Sequence, residues 1–244
     1  LVANRMPEKI GIFRNGSEWF LDMSGDGAWG AGDTAYVFGT AGDTRISGDW
    51  NGDGKTEIGT FRNGYQWYLD MSGDGAWGAG DIYYEFGSST TADVPVTGDW
   101  NGDGKTDIGI HRDGYQWYLD MSGDGSWGAG DVVYAFGTSG DTAVTGDWNG
   151  DGKTDIGIHR NGYQWYLDMS GDGAWGAGDV QYAFGTTGDT PVTGDWNRDG
   201  RTKIGIHRNG YEWYVDANGS GAWDLGDALY AFGANGDTPV TGQW

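Results

Sequence analysis

An all-β, five-bladed β-propeller of four-stranded antiparallel blades is the fold predicted for this chain, and three observations predict it. Gly-Asp-Trp ends at Trp50, Trp100, Trp148 and Trp196, and a Gly-Gln-Trp variant ends at Trp244, so one element returns at spacings of 50, 48, 48 and 48 residues. Repeats of about 40–50 residues are the mark of propeller blades. All 15 tryptophans fall into three recurring places, Trp50/100/148/196/244, Trp19/67/117/165/213 and Trp29/77/127/175/223, which leaves none for a unique task. Apolar residues alternate with period two between glycine-rich joints, and no segment has helical period.

The third unit shows the predicted elements in order. Thr142 to Trp148 is a strand, and Ile156 to Arg160 follows after a polar loop. Asn161-Gly162 is a two-residue turn of the kind that needs positive φ at both places. Tyr163 to Asp168 returns, with Tyr163, Trp165 and Leu167 expected on one face and Gln164 and Tyr166 on the other. After a second Gly-Asp loop, Val180 to Phe184 closes the unit. The repeats run about 9–54, 55–104, 105–152, 153–200 and 201–244 within one domain, 1–244. A single blade cannot bury its own faces, so the ring must shut. The terminal strand 238–244 lacks a successor and Lys9 to Phe13 lacks a predecessor; pairing them completes the blade begun by 9–39 and removes both edges.

Composition excludes several functions. With 14 Lys+Arg against 36 Asp+Glu the chain carries −22 formal charges and repels phosphate backbones, so nucleic acid is not an expected partner. No apolar run approaches the ~20 residues of a membrane-spanning helix. Aromatic content of 15% argues for a packed fold in spite of 50 glycines. The absence of cysteine excludes disulfides, thiolate metal sites and thiol nucleophiles. The chain opens on Leu1-Val2 without a charged and apolar leader, as a mature form or an excised fragment would, which leaves export open.

The loop after each Gly-Asp-Trp has the form D-x-N-x-D-G-x-x-D/E. Places 1, 3 and 5 turn oxygens inward, glycine at 6 permits the reversal, place 7 offers a carbonyl and the acid at 9 closes the cage, a hard-oxygen set suited to Ca²⁺. The sets are Asp49, Asn51, Asp53, Lys55 (carbonyl) and Glu57; Asp99, Asn101, Asp103, Lys105 (carbonyl) and Asp107; and Asp147, Asn149, Asp151, Lys153 (carbonyl) and Asp155. In the fourth copy Asp195, Asn197 and Asp199 remain but Lys203 replaces the closing acid, so a weak or empty site is expected. The fifth, at Gln243, cannot form. The alternative is that Asp, Asn and Gly simply favour turns, which three complete copies in register make the poorer account.

Strand, aspartate loop, strand, with a Phe-Gly pair upstream (Phe38-Gly39, Phe86-Gly87, Phe136-Gly137, Phe184-Gly185, Phe232-Gly233), resembles the FG-GAP/VCBS repeat family, whose members include the calcium-bound blades of integrin α-subunit propellers. The resemblance covers all five units. The family's Gly-Ala-Pro after the second strand is replaced by Gly109-Ile110-His111 and its equivalents, which weakens any transfer of integrin-like partners. What the resemblance implies is a calcium-clamped propeller, extracellular or at the cell surface, used for adhesion or ligand recognition.

A second acidic series has the frame of a twelve-residue EF-hand-type loop, with acids at places 1, 5 and 12, Ser at 3 and Gly at 6. It comprises Asp22, Ser24, Asp26 and Asp33; Asp70, Ser72, Asp74 and Asp81; Asp120, Ser122, Asp124 and Asp131; and Asp168, Ser170, Asp172 and Asp179. The fifth set, Asp216, Asn218, Ser220, Asp224 and Asp227, gains an acid at place 9. No helix pair flanks these loops and Asp reaches less far than Glu at place 12, so calcium sites and turns of solvated carboxylates both fit them. Most of the 36 acidic side chains lie in the two series, so the net charge is a loop property.

His111, His159 and His207 stand where Phe13 and Phe61 stand in other units, which reads as packing. Arg14, Arg62, Arg112, Arg160 and Arg208 recur just before the hairpin turn and are expected to pair with nearby carboxylates. Trp29, Trp77, Trp127, Trp175 and Trp223 lie in glycine-rich loops, where an indole either roofs its own blade or offers a flat face to a sugar. Arg45, Glu85 and Lys203 are specific to single units and form no recognisable constellation, so no catalytic residues are expected. The functional expectation is a monomeric, non-catalytic recognition platform that binds calcium ions and a cell-surface protein or glycan. Its rivals are a multivalent lectin and, more remotely, a polysaccharide-acting enzyme or its accessory domain.

Overall fold

A computed structural model describes residues 7–244, so the opening Leu1-Val2 lies outside the described residues. β1 (Lys9–Arg14), β2 (Glu18–Leu21) and β3 (Thr34–Val37) begin blade I. Blade II is β4 (Thr44–Gly48), β5 (Glu57–Arg62), β6 (Gln66–Leu69) and β7 (Ile82–Glu85). Blade III is β8 (Val94–Gly98), β9 (Asp107–Arg112), β10 (Gln116–Leu119) and β11 (Val132–Ala135). Blade IV is β12 (Thr142–Gly146), β13 (Asp155–Arg160), β14 (Gln164–Leu167) and β15 (Val180–Ala183). Blade V is β16 (Thr190–Gly194), β17 (Lys203–Arg208), β18 (Glu212–Val215) and β19 (Ala228–Ala231), and β20 (Thr238–Gly242) completes blade I. Each blade is one antiparallel four-stranded sheet, and blade I has the order β20-β1-β2-β3. The ring therefore shuts as its ends predict, with Lys9 opposite Gly242 and Phe13 opposite Thr238.

The core lies between blades. Ile108 and Ile110 of blade III pack with Trp50, Phe61, Trp67 and Phe86 of blade II. Across the closing seam, Ile10 and Ile12 of blade I pack with Val192, Trp213 and Phe232 of blade V. This is why closure and folding are one event: each apolar face is covered only by its neighbour. β4, β8, β12, β16 and β20 touch one another around the axis as the innermost strands. There a closed cycle of side-chain bonds runs round the ring. Thr97 Oγ1 donates to the Ser47 carbonyl (3.1 Å), Thr145 to Thr97 (3.0 Å), Thr193 to Thr145 (3.0 Å), Thr241 to Thr193 (2.9 Å) and Ser47 to Thr241 (3.1 Å).

The hairpin turns form as predicted, with Asn161 at φ 58° and Gly162 at 83°. One expectation is corrected there. The ladder pairs Arg160 with Gln164, so Tyr163 is an extra residue outside the strand and is exposed, while Trp165 and Leu167 are buried. The Tyr163 amide closes the turn onto the Arg160 carbonyl, which uses the residue up before the regular alternation resumes. The innermost strands also stop two residues short of their tryptophans, because the residue before each indole, an aspartate in four blades and Gln243 in blade I, lies outside the strand.

Two faces follow from the topology. The hairpin turns and the crossovers between blades lie on one face, and both acidic loop series lie on the other. On the turn face each arginine is paired with an aspartate of the preceding crossover: Arg14 with Asp237, Arg62 with Asp43, Arg112 with Asp93, Arg160 with Asp141 and Arg208 with Asp189, at 2.6–2.7 Å. Each guanidinium also lies 4.6–4.8 Å from an aromatic ring, that of Tyr68 for Arg62 and Phe20 for Arg14. No helix among the described residues is long and apolar enough to cross a membrane.

Candidate functional site

The first acidic series builds its loops on its own backbone amides. In blade II, Asp49 Oδ1 accepts from the amides of Gly52 (2.7 Å) and Asp53 (3.1 Å), and Oδ2 accepts from Gly54 (2.8 Å). Asn51 Oδ1 accepts from the Asp53 amide (2.8 Å), and Asp53 Oδ1 from the Lys55 amide (2.9 Å). Gly54, at place 6, has φ +88°, a conformation closed to most side chains. Glu57 starts β5, so the strand rather than the loop aims the closing acid. Its Oε2 accepts from the Trp50 amide at 3.0 Å. Carboxylate oxygens of Asp49, Asp53 and Glu57 lie within 4.8 Å of one another.

Blades III and IV repeat the amide pattern on Asp99 and Asp147. Asp107 and Asp155 are one methylene shorter than Glu57, and among the described residues their trios with Asp99, Asp103, Asp147 and Asp151 do not gather to the same distance. The closing acids nonetheless share one electrostatic state. Burial first, and then neighbouring carboxylates, push Glu57, Asp107 and Asp155 up to about 7. For Glu57 the neighbours include Asp70 of the second loop.

That last contact was not legible in the sequence. The two acidic loops of a blade abut: Asn51 Nδ2 donates to the Met71 carbonyl (3.2 Å), and a cavity of about 290 Å³ lies between them, lined by Asp53, Glu57, Asp70 and Ser72 among others. In the second series itself the carboxylates serve as turn caps. Asp70 is buried and accepts from Ser72 Oγ (3.1 Å) and the amides of Gly73 (2.9 Å) and Gly75 (2.8 Å), while Asp74 caps Ala76 and Asp81 caps Gly78. Asp22, Asp120 and Asp168 make the same bonds through Ser24, Ser122 and Ser170. Asp26, Asp124 and Asp172 cap as Asp74 does, and Asp33, Asp131 and Asp179 as Asp81 does. In blade V, Asp216 accepts from Gly221, Asn218 and Ser220 both donate to Asp224, and Asp227 caps Asp224. Among the described residues no trio from this series converges as Asp49, Asp53 and Glu57 do.

Where lysine replaces the closing acid, the loop holds a cation of its own. Lys203 Nζ lies 2.6 Å from Asp199 Oδ1, 3.4 Å from Asp195 Oδ1 and 2.9 Å from the Arg201 carbonyl, the oxygens of places 5, 1 and 7. In blade I the corresponding residue is Lys9, whose Nζ donates to the Met23 (2.7 Å) and Trp244 (3.0 Å) carbonyls. So the strand-initial position carries an acid in three blades and an ammonium in two.

The first-series loops are also tied across the blade seams. The Asp49 amide donates to Thr106 Oγ1 of blade III (2.9 Å), and the Thr106 amide donates back to the Asp49 carbonyl (2.7 Å). Thr154 holds Asp99 and Thr202 holds Asp147 in the same way. The residue that opens each cage is thus fixed by the next blade.

The histidines are packing residues. His111, His159 and His207 are buried against Trp117, Trp165 and Trp213 at 4.5–4.6 Å, with Nε2 unpartnered. Burial lowers all three to about 4. Below the ordinary value of ~6.5 the unfolded chain takes up protons that the folded chain refuses, so stability falls as pH drops from about 6.5 toward 4. The loss is on the order of 1–2 kcal/mol per histidine. With all three replaced by phenylalanine, as at Phe13 and Phe61, the melting temperature in chelator is expected to fall by about 10 °C less between pH 7 and 4.5 than that of the parent chain. Parallel curves for the two proteins would refute the assignment.

The FG-GAP-like repeat family matches residues 49–110 and 99–158, which cover the three complete acidic loops. No curated protein and no solved structure matched the chain in the other comparisons. The repeated loop, the family match and the closed ring agree, and the chain is a five-bladed β-propeller whose residues 49–158 match FG-GAP-like repeats.

Proposed function

We propose that this propeller is a non-catalytic recognition platform whose acidic face is clamped by three calcium ions, one each at the Asp49, Asp99 and Asp147 loops. The observation that carries the reading is the alternation at one strand-initial position. Glu57, Asp107 and Asp155 are acids that burial, and then neighbouring carboxylates, push up to about 7, whereas Lys203 supplies a charge to the same oxygens from within. A loop that takes an ammonium in one blade needs a cation in the others. The donors are all oxygen: places 1, 3, 5 and 7 sit on a loop whose first residue the next blade fixes, and the acid at place 9 closes it from a buried strand position. Metal binding is thereby coupled to the seams on which the ring depends. We assign these sites to the calcium modules that work outside the cell, at its surface or beyond.

Reactive side chains recur around the ring instead of converging on one place, which favours repeated contact over catalysis. The ligand is then a cell-surface protein or glycan met by a monomeric disc. At free calcium a hundredfold above Kd, each site contributes ~2.7 kcal/mol, so three independent sites approach ~8 kcal/mol. Metal-depleted protein is expected to melt on the order of 20 °C lower than calcium-saturated protein, and calorimetric titration should return three ions per chain. Equal melting temperatures in calcium and in chelator would end the proposal.

A further inference from the structure

The five loop tryptophans do more than roof their blades. Trp29, Trp77, Trp127, Trp175 and Trp223 are 51–53% exposed, against near-complete burial of the Trp19 series. Each stands edge-on to an aromatic ring of its own blade and tilted over the Phe-Gly phenylalanine of the neighbour. Trp77 lies 5.3 Å from Tyr68 and 6.3 Å from Phe38, and Trp29 lies 5.4 Å from Phe20 and 6.2 Å from Phe232. The same pair of ring contacts recurs at every blade seam. At the seam between blades V and I these rings border a groove, a cavity of about 290 Å³ lined by Ile12, Arg14, Phe20, Trp29, Phe232 and Gly233.

The groove also holds spare donors. Nε1 of the Trp19 series and of Trp50, Trp100, Trp148 and Trp196 is committed to backbone carbonyls, whereas Nε1 of the five loop tryptophans has no acceptor among the described residues. Each groove arginine engages its aspartate through Nε and Nη2. Nη1 of Arg14, beside Phe20, has no acceptor among the described residues, whereas Arg62, Arg112, Arg160 and Arg208 also share a hydrogen bond with the tyrosine that replaces Phe20.

We propose that each seam binds one neutral pyranose, the terminal sugar of a glycan, so that the ring presents five lectin sites. The half-exposed indole and its aromatic neighbour offer an apolar face to the axial C–H groups of the ring, and the indole N–H, joined at the Arg14 seam by guanidinium Nη1, donates to its hydroxyls. The arginine charge is already balanced by its aspartate, so the site favours a neutral sugar over a uronic acid or a sialic acid. The cavity lies at the low end of small-molecule sites, which suits a single ring. One sugar per groove binds weakly, and affinity arises from engaging several seams at once. This inference rests on the reading of the chain as a recognition platform but not on its calcium sites.

The test follows the indole N–H signals of calcium-saturated protein by NMR while methyl glucoside, methyl galactoside, methyl mannoside and N-acetylglucosamine are added, with glucuronate as the charged control. The five loop-tryptophan signals are expected to shift for at least one neutral sugar and the buried indoles to stay still. Trp77→Phe, which keeps the aromatic packing, should remove one site of five, and a sugar-coated carrier protein should bind at least a hundredfold more tightly than the free sugar. If all five signals stay still with every sugar while the chain remains folded, or if only buried indoles move, the proposal fails. The melting curve decides the calcium reading separately: a calcium-dependent melt with silent indoles refutes the grooves alone, and shifting indoles with no calcium effect refute the clamp alone.

Discussion

Removal of residues 238–244 is expected to abolish cooperative unfolding. The deletion takes away β20, which pairs with β1 over five positions, and with it Val240 and Trp244, which pack against Phe13, Trp19, Leu21 and Phe38 of blade I and Ile58 of blade II. Burying residues of that size is worth about 2–5 kcal/mol each. The axial hydroxyl cycle opens at two of its five links, Ser47 to Thr241 and Thr241 to Thr193. The damage compounds, because β1 becomes a bare edge beside a seam that no longer holds. The combined loss reaches the ~5–15 kcal/mol that stabilises a whole domain. Thermal denaturation followed by circular dichroism should show a broad slope in place of a transition, and size-exclusion chromatography should show association through the open edge. A truncated chain that is monomeric and melts within a few degrees of the intact one would mean that the ring does not depend on its closing strand.

The parts of this architecture visible in the sequence are those fixed by local chemistry. Asn161-Gly162 dictates its turn because only such residues accept positive φ twice in succession, and the 48-residue period dictates the ring because one blade cannot cover itself. The split faces of Trp165 and Tyr166 follow from period two, whereas Tyr163 escapes that rule because a turn can absorb an extra residue without changing the pattern on either side. The capped loops of the first series were legible for the same local reason, since nine consecutive residues supply most of the contacts.

What was illegible lies between segments. The partners of the arginines, Asp43, Asp93, Asp141, Asp189 and Asp237, sit in Gly-Asp turns that look like any other loop, although each lies 19 residues before its arginine or, for Asp237, across the closure. The contact of Asn51 with Met71, which brings Asp70 near enough to raise Glu57, depends on how two hairpin ends lean together, and spacing does not report that. The lysine at place 9 was visible as a lost ligand. That its ammonium would reach the remaining oxygens required coordinates.

Exchange of the closing acids for lysine follows from that ammonium and carries the other large effect. In E57K/D107K/D155K each blade would hold the arrangement of Lys203, whose Nζ meets Asp199 at 2.6 Å and the Arg201 carbonyl at 2.9 Å from a buried position. The formal charge rises from −22 to −16, because each exchange adds two positive units. In chelator the triple variant is expected to be more stable than the parent, since crowded carboxylates are replaced by three internal ion pairs. A partly buried pair of this kind contributes roughly 1 kcal/mol, less than a saturated calcium site at ~2.7 kcal/mol. In saturating calcium the order should therefore reverse, with the parent gaining about 8 kcal/mol and the variant almost nothing. The opposite exchange, K203D, should destabilise the chelated protein and raise the calcium stoichiometry from three to four. Chemical denaturation in calcium and in chelator measures all three proteins on one scale. If the triple variant gains as much from calcium as the parent does, place 9 is not where the cation is held, and the equivalence of ammonium and metal in these loops is wrong.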